Sequence, residues 1–129
     1  MAELLNRKVG DMNYDGLISD LNPPVEVRGR TIAHGDAEAT YKRGTVFAVS
    51  ENDEKIYPLG TEIDDDSLTP DCILIDDTVV GTSEDVIATV YTAGCFDSGK
   101  VTVKEGYTIT AADLDELRKR NIVFKAAFN

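Results

Sequence analysis

Tryptophan is absent from this sequence, histidine occurs once and cysteine twice, and each scarcity removes a class of chemistry. Cys72 and Cys95 share no CxxC spacing and have no histidine near them in sequence. Neither a disulfide framework nor a zinc site is therefore expected, and two reduced, buried thiols are. The single histidine, His34, lies in the polar stretch AHGDAEAT with no cysteine and no Ser-Gly elbow motif beside it. A nucleophile and base pair cannot be assembled there from sequence, and a solvated side chain is expected. Neither GxGxxG nor GxxxxGK[ST] occurs, so nothing cradles a nucleotide phosphate. Long apolar runs are also missing: no window approaches the roughly 18 residues of a membrane span. The opening MAELLNRKVG lacks the apolar stretch of a secretion signal. No membrane partner is expected, and the default address is the cytoplasm.

Positive charge is scarce as well. Thirteen Lys and Arg face 24 Asp and Glu, for a net charge of -11. The excess is concentrated in the middle: residues 44–109 hold three cations against 14 acids, whereas residues 1–43 hold six against seven and residues 110–129 four against three. Such a surface repels phosphate backbones, which argues against a nucleic-acid partner and favours solubility at high concentration.

What the sequence does contain is enough apolar material, 42% of 129 residues, to bury one core, and too few residues for two. From Thr40 onward, short runs rich in Val, Ile, Tyr and Thr alternate with Gly and Asp, the pattern of β structure. Strands are predicted at 44–50, 55–58, 72–76, 86–96 and 100–104, with turns at SENDE, GTEIDDDSLTPD and DSGK. In VIATVYTAGCF both faces carry apolar side chains, so this strand is expected to be central. One helix is clear in TITAADLDELRKRNIVF. Thr110 is its N-cap and Asp113 completes a capping box, acids crowd its first turn, and Arg118, Lys119 and Arg120 crowd its last. Leu114 and Leu117 form its apolar face, and Asp115 with Lys119 and Glu116 with Arg120 are favourable i,i+4 pairs. Asn121 ends it. The tail IVFKAAF then returns as a strand with Lys125 facing water. Residues 1–30 show few signs of a folded element, and Pro23 and Pro24 mark a spacer or extended arm.

Two acidic stretches invite a metal reading. DMNYDGLISDLN places Asp11, Asn13 and Asp15 at alternate positions ahead of Gly16, like an EF-hand loop. Its twelfth position, however, is Asn22 where a bidentate Glu is needed, and Pro23 and Pro24 forbid the exit helix. An Asp-Gly turn within an extended segment explains the pattern without an ion. A calcium-dependent binding module using Asp11, Asn13 and Asp15 stands as the alternative reading. EIDDDSL, from Glu62 to Leu68, would be its second acidic site, although adjacent aspartates in a turn point apart and stay hydrated. A small hydrolase built on the aspartates ranks last, for want of a nucleophile.

The MNYDGLI of the leading segment, then KRGTVFAV, then VGTSEDVIATVYTAGCF, and finally ITAADLDELRKRNIVFK resemble, in order and spacing over roughly residues 12–128, the lambda-type head decoration proteins of tailed phages. That resemblance implies a mainly β, compact domain of β-clip or β-tulip type. It carries one short C-terminal α-helix and an extended N-terminal arm. The arm would cover residues 1–32 and the β-rich domain 33–129. It implies a homotrimer on the outer surface of the virion, at threefold and quasi-threefold positions of the expanded shell, with the major capsid protein as partner. It implies no catalysis, no cofactor and no metal. The arm gains order on the shell in such proteins, so Asn13, Tyr14, Leu17, Ile18, Val25 and Val27 are the expected capsid contacts. The helix-forming TAADLDELRKRN departs from the lambda member itself and is closer to relatives in prophages.

Overall fold

The computed structural model describes residues 17–20 and 23–125. These form nine strands and one helix: β1 (Ile18–Asp20), β2 (Glu26–Ile32), β3 (Ala39–Tyr41), β4 (Val46–Ser50), β5 (Ile56–Pro58), β6 (Leu68–Leu74), β7 (Thr78–Val80), β8 (Val86–Asp97), α1 (Ala111–Lys119) and β9 (Ile122–Lys125). The protein is mainly β with one short C-terminal helix, as the sequence pattern predicts. The expected strand at 100–104 is replaced by a single bridge between Thr45 and Thr102. The strand expected at 72–76 begins earlier, at Leu68, and ends at Leu74. It passes through Pro70 because the ladder with β4 is irregular there, between Phe47 and Ala48, and a bulge tolerates a residue without an N–H.

Pairing runs from β8 to β2, β5, β4 and β6 and returns to β8, which closes a five-stranded barrel. The parallel contact of β2 with β5 is its weakest seam, a single pair of Ile32 with Ile56. β8 is the spine. Its first part pairs with β2 and, at Val90 and Tyr91, with β6, while its last residues pair with β1 and with β9 in parallel. The change of partners falls at Gly94, whose φ of 147° and close approach to Phe96 leave no room for a side chain. A Cβ there would meet the Phe96 ring at 2.8 Å.

Alternation along β4, β6 and β8 sends side chains into two separate cores. Phe47, Cys72, Leu74 and Val90 join Ile32, Ile56, Val80 and Ala88 in one. Val46, Ala48, Ile73 and Tyr91 join Leu17, Ile18, Leu59, Phe96, Leu117 and Ile122 in the other. Three strands buried on both faces explain why their sequences read as near-continuous apolar runs. The helix closes the second core with Leu117, and its capping box of Thr110 and Asp113 is formed as expected. Its surface pairs are one residue tighter than predicted for Asp115, which meets Arg118. Glu116 takes both Lys119 and Arg120. Asn121 stops the helix in the left-handed region at φ 66°. Asp71 of β6 lies between Arg30 of β2 at 3.1 Å and Arg120 at 3.7 Å, tying the barrel to the end of the helix.

Candidate functional site

The six expected capsid contacts fall into three environments. Asn13 and Tyr14 lie outside the described residues. Leu17 and Ile18 are core residues, 1% and 6% exposed, and cannot present their side chains to a shell protein. The Leu17 carbonyl accepts from the Asp97 amide at 2.8 Å, and a Leu17 methyl packs beside Gly44. Val25 is half-buried against the same core, whereas Val27 is 50% exposed.

These positions correct the expected boundary at residue 32. β1 and β2 follow one another antiparallel down β8, from Ile18 opposite Phe96 to Ile32 opposite Val86, so residues 17–20 and 26–32 belong to the β domain. The physical reason is burial. Leu17, Ile18 and Ile32 find apolar surface on their own sheet, and every pairing with β8 satisfies main-chain groups that a free arm would leave to water. The signal was present in VEVRGRTI, whose apolar and polar residues alternate. The prolines before it and Gly29 within it argued the other way.

One face remains uncovered among the described residues. Val27, Gly29 and Thr31 of β2 lie on it, with Thr89 and Ile87 of β8 opposite Gly29 and Thr31. Ile87 is 79% exposed, and its methyl lies 3.8 Å from where a Gly29 Cβ would be. Beside this face a groove of about 510 Å³ is lined by Gly29, Arg30, Val49, Glu54, Asp71 and Ile87.

A second cluster lies at the opposite end of β2. Asp85 accepts from the His34 backbone N–H at 2.9 Å, meets His34 Nδ1 at 2.7 Å, and pairs with Lys55 Nζ at 2.7 Å. These bonds, from Lys55 first and His34 second, hold the Asp85 carboxyl well below the usual carboxylate range. The histidine expected to be solvated therefore has a specific partner 51 positions away, a contact no local pattern announces. Next to it a cavity of about 760 Å³ is lined by His34, Tyr41, Lys42, Tyr57, Lys104 and Glu105. Burial and a hydrogen bond to Asp53 push the Tyr57 phenol up to about 12. Charges of both signs border this cavity, so it selects for no one ionic class.

The acidic turn after Glu62 is held by its own bonds. Asp66 accepts from the buried Ser50 hydroxyl and from the Asn52 amide at 3.3 Å, and the Asn52 side chain donates to the Asp65 carbonyl at 3.0 Å. Among the described residues no three His, Cys, Asp or Glu side chains converge to hold a metal ion. Asp11, Asn13 and Asp15 lie outside them. Cys72 and Cys95 are both buried and free, and burial, with Asp71 alongside, pushes the Cys72 thiol well up, away from reactivity. No described helix is long and apolar enough to cross a membrane. No protein-family model matches the sequence, and no curated protein matches it.

Proposed function

We propose that this chain is a head decoration protein of a tailed phage. As a homotrimer it would sit on the outside of the expanded shell at threefold and quasi-threefold positions, binding the major capsid protein. The observation that carries the reading is the way the resembling stretches come together. KRGTVFAV leads into β4, VIATVYTAGCF is β8, and ITAADLDELRKRNIVFK is α1 with β9. All three contribute side chains to the core around Tyr91, Phe96 and Leu117. A mainly β domain with a C-terminal helix is the architecture that the resemblance implies.

Leu17 and Ile18 act as the anchor that fixes where residues 1–16 join the barrel, and the contact group becomes Asn13, Tyr14 and Val27. A shell filled with DNA fails at its subunit junctions. Many copies of a clamp, each adding modest binding energy, raise the threshold together. The acid-rich middle of the chain suits an outward surface and not one that touches the genome. The test is co-sedimentation with expanded heads of the encoding phage. The wild-type chain is expected to pellet with the heads, and Tyr14→Ala combined with Val27→Asp to remain in the supernatant while still folded. Wild-type protein that is folded and never pellets removes the reading.

A further inference from the structure

β2 has two edges. One pairs with β8 over seven positions, from Glu26 to Ile32. The other meets β5 only at Ile32, with one further bond from the Ala33 amide to the Ile56 carbonyl at 3.2 Å. Along Glu26 to Thr31 that edge has no strand beside it among the described residues. The Gly29 carbonyl accepts from the Arg30 guanidinium at 3.2 Å, and an edge with no strand along it is a template for another strand.

The side chains on this edge have a particular order. Glu26, Val27 and Arg28 are exposed, and neither Glu26 nor Arg28 has an ionic partner among the described residues. In a chain with 24 acids and 13 bases an arginine left without a carboxylate is unusual. Most of the cations on the barrel and helix, including Arg30, Lys55, Arg120 and Lys125, are paired. Read in either direction, Glu-Val-Arg is its own complement: turned antiparallel on itself, Glu faces Arg, Val faces Val, and Arg faces Glu.

We infer that β2 pairs antiparallel with β2 of a second copy of this chain about a twofold axis through Val27. In that register Glu26 of each copy lies opposite Arg28 of the other, which places opposite charges on one face as directly facing cross-strand neighbours. On the other face the two Val27 side chains meet. Val25 of each copy comes opposite Gly29 of the other, where the missing side chain leaves room beside Ile87. The shared self-complementary patch is what a twofold contact requires. The pair is small, a few residues a side, and so forms a weak, concentration-dependent association and not an obligate dimer. The inference does not depend on the capsid reading, since it concerns pairs of copies whatever particle they build.

Two measurements test it on the full chain. In sedimentation equilibrium the mass doubles with concentration, from one copy to two or from three to six. Glu26→Arg or Arg28→Glu alone weakens the doubling about tenfold, because each turns two attractions into two repulsions. Glu26→Arg with Arg28→Glu restores it, since the swapped pattern is again its own complement. Directly opposed residues sit within disulfide reach across antiparallel strands. Val27→Cys should therefore form a covalent dimer under mild oxidation, while Val79→Cys, equally exposed on β7, should not; the native cysteines are buried and do not compete. A mass that never doubles, a double reversal that fails to restore it, or equal cross-linking at Val27 and Val79 overturns the pairing. Failure to bind heads leaves all three results unaffected.

Discussion

Asp20 and Lys125 meet at 2.7 Å, carboxylate to ammonium, across 105 positions of sequence. The contact joins β1 to β9 at the end of β8, where Asp20 is opposite Cys95 and Lys125 opposite Asp97. The first and last described strands thus complete the same sheet. Within the leading segment, Leu17 to Asp20 and Glu26 to Ile32 therefore belong to the β domain.

Two deletions test this. Removing residues 1–16 is expected to leave thermal stability nearly unchanged and to abolish attachment to heads. Removing residues 1–24 takes away Leu17 and Ile18 as well and costs about 3–6 kcal/mol, from the burial of two large aliphatic side chains. Thermal denaturation of both variants checks this, and equal stability of the two would deny β1 its place in the core.

How far the sequence reveals this fold depends on the range over which its signals act. The helix was legible to the residue because a capping box, charge order and a stop at Asn121 are all local. β4 and β8 were legible because two-sided burial makes apolar runs that stand out. β1 and β2 were not, because their pairing is with β8, some 55 to 80 positions away, and prolines and a glycine dominate the local reading. The short sheet of β3 and β7 was missed for a similar reason: three residues a side carry too little pattern. The pairing of His34 with Asp85 depends wholly on how the barrel closes.

Thr110→Ala should cost about 1 kcal/mol, the loss of one N-cap bond to the Asp113 amide. The Tyr107 hydroxyl also donates to the Asp113 carboxylate, so Asp113→Ala should cost more than Thr110→Ala. Urea unfolding of the two variants compares them directly.

Asp71 is the junction of Arg30 and Arg120, with its side chain 12% exposed. Asp71→Ala leaves two guanidinium groups without their shared acceptor and should destabilise the protein by about 1–3 kcal/mol. Conservative loss of one spoke, Arg120→Gln, should cost less, because Arg30 still holds the carboxylate at 3.1 Å. Chemical denaturation of both variants would reverse the assignment if the order were inverted.

Asp85 gives the protein an acid-side dependence. Its folded pKa is depressed below the unfolded value by Lys55 and His34, so its contribution to stability is present above about pH 4 and is lost as pH falls below that. Asp85→Asn should therefore flatten the stability profile below about pH 4 while lowering stability at neutral pH. A profile parallel to that of the wild type throughout the acid range would show that this carboxylate is not a determinant.

The most direct measurement is cryo-electron microscopy of expanded heads incubated with the purified protein. Density for three copies of the barrel on the outer face at threefold and quasi-threefold positions is the predicted result, with residues before Leu17 running onto the shell protein. Bare shells beside folded, soluble protein would contradict it.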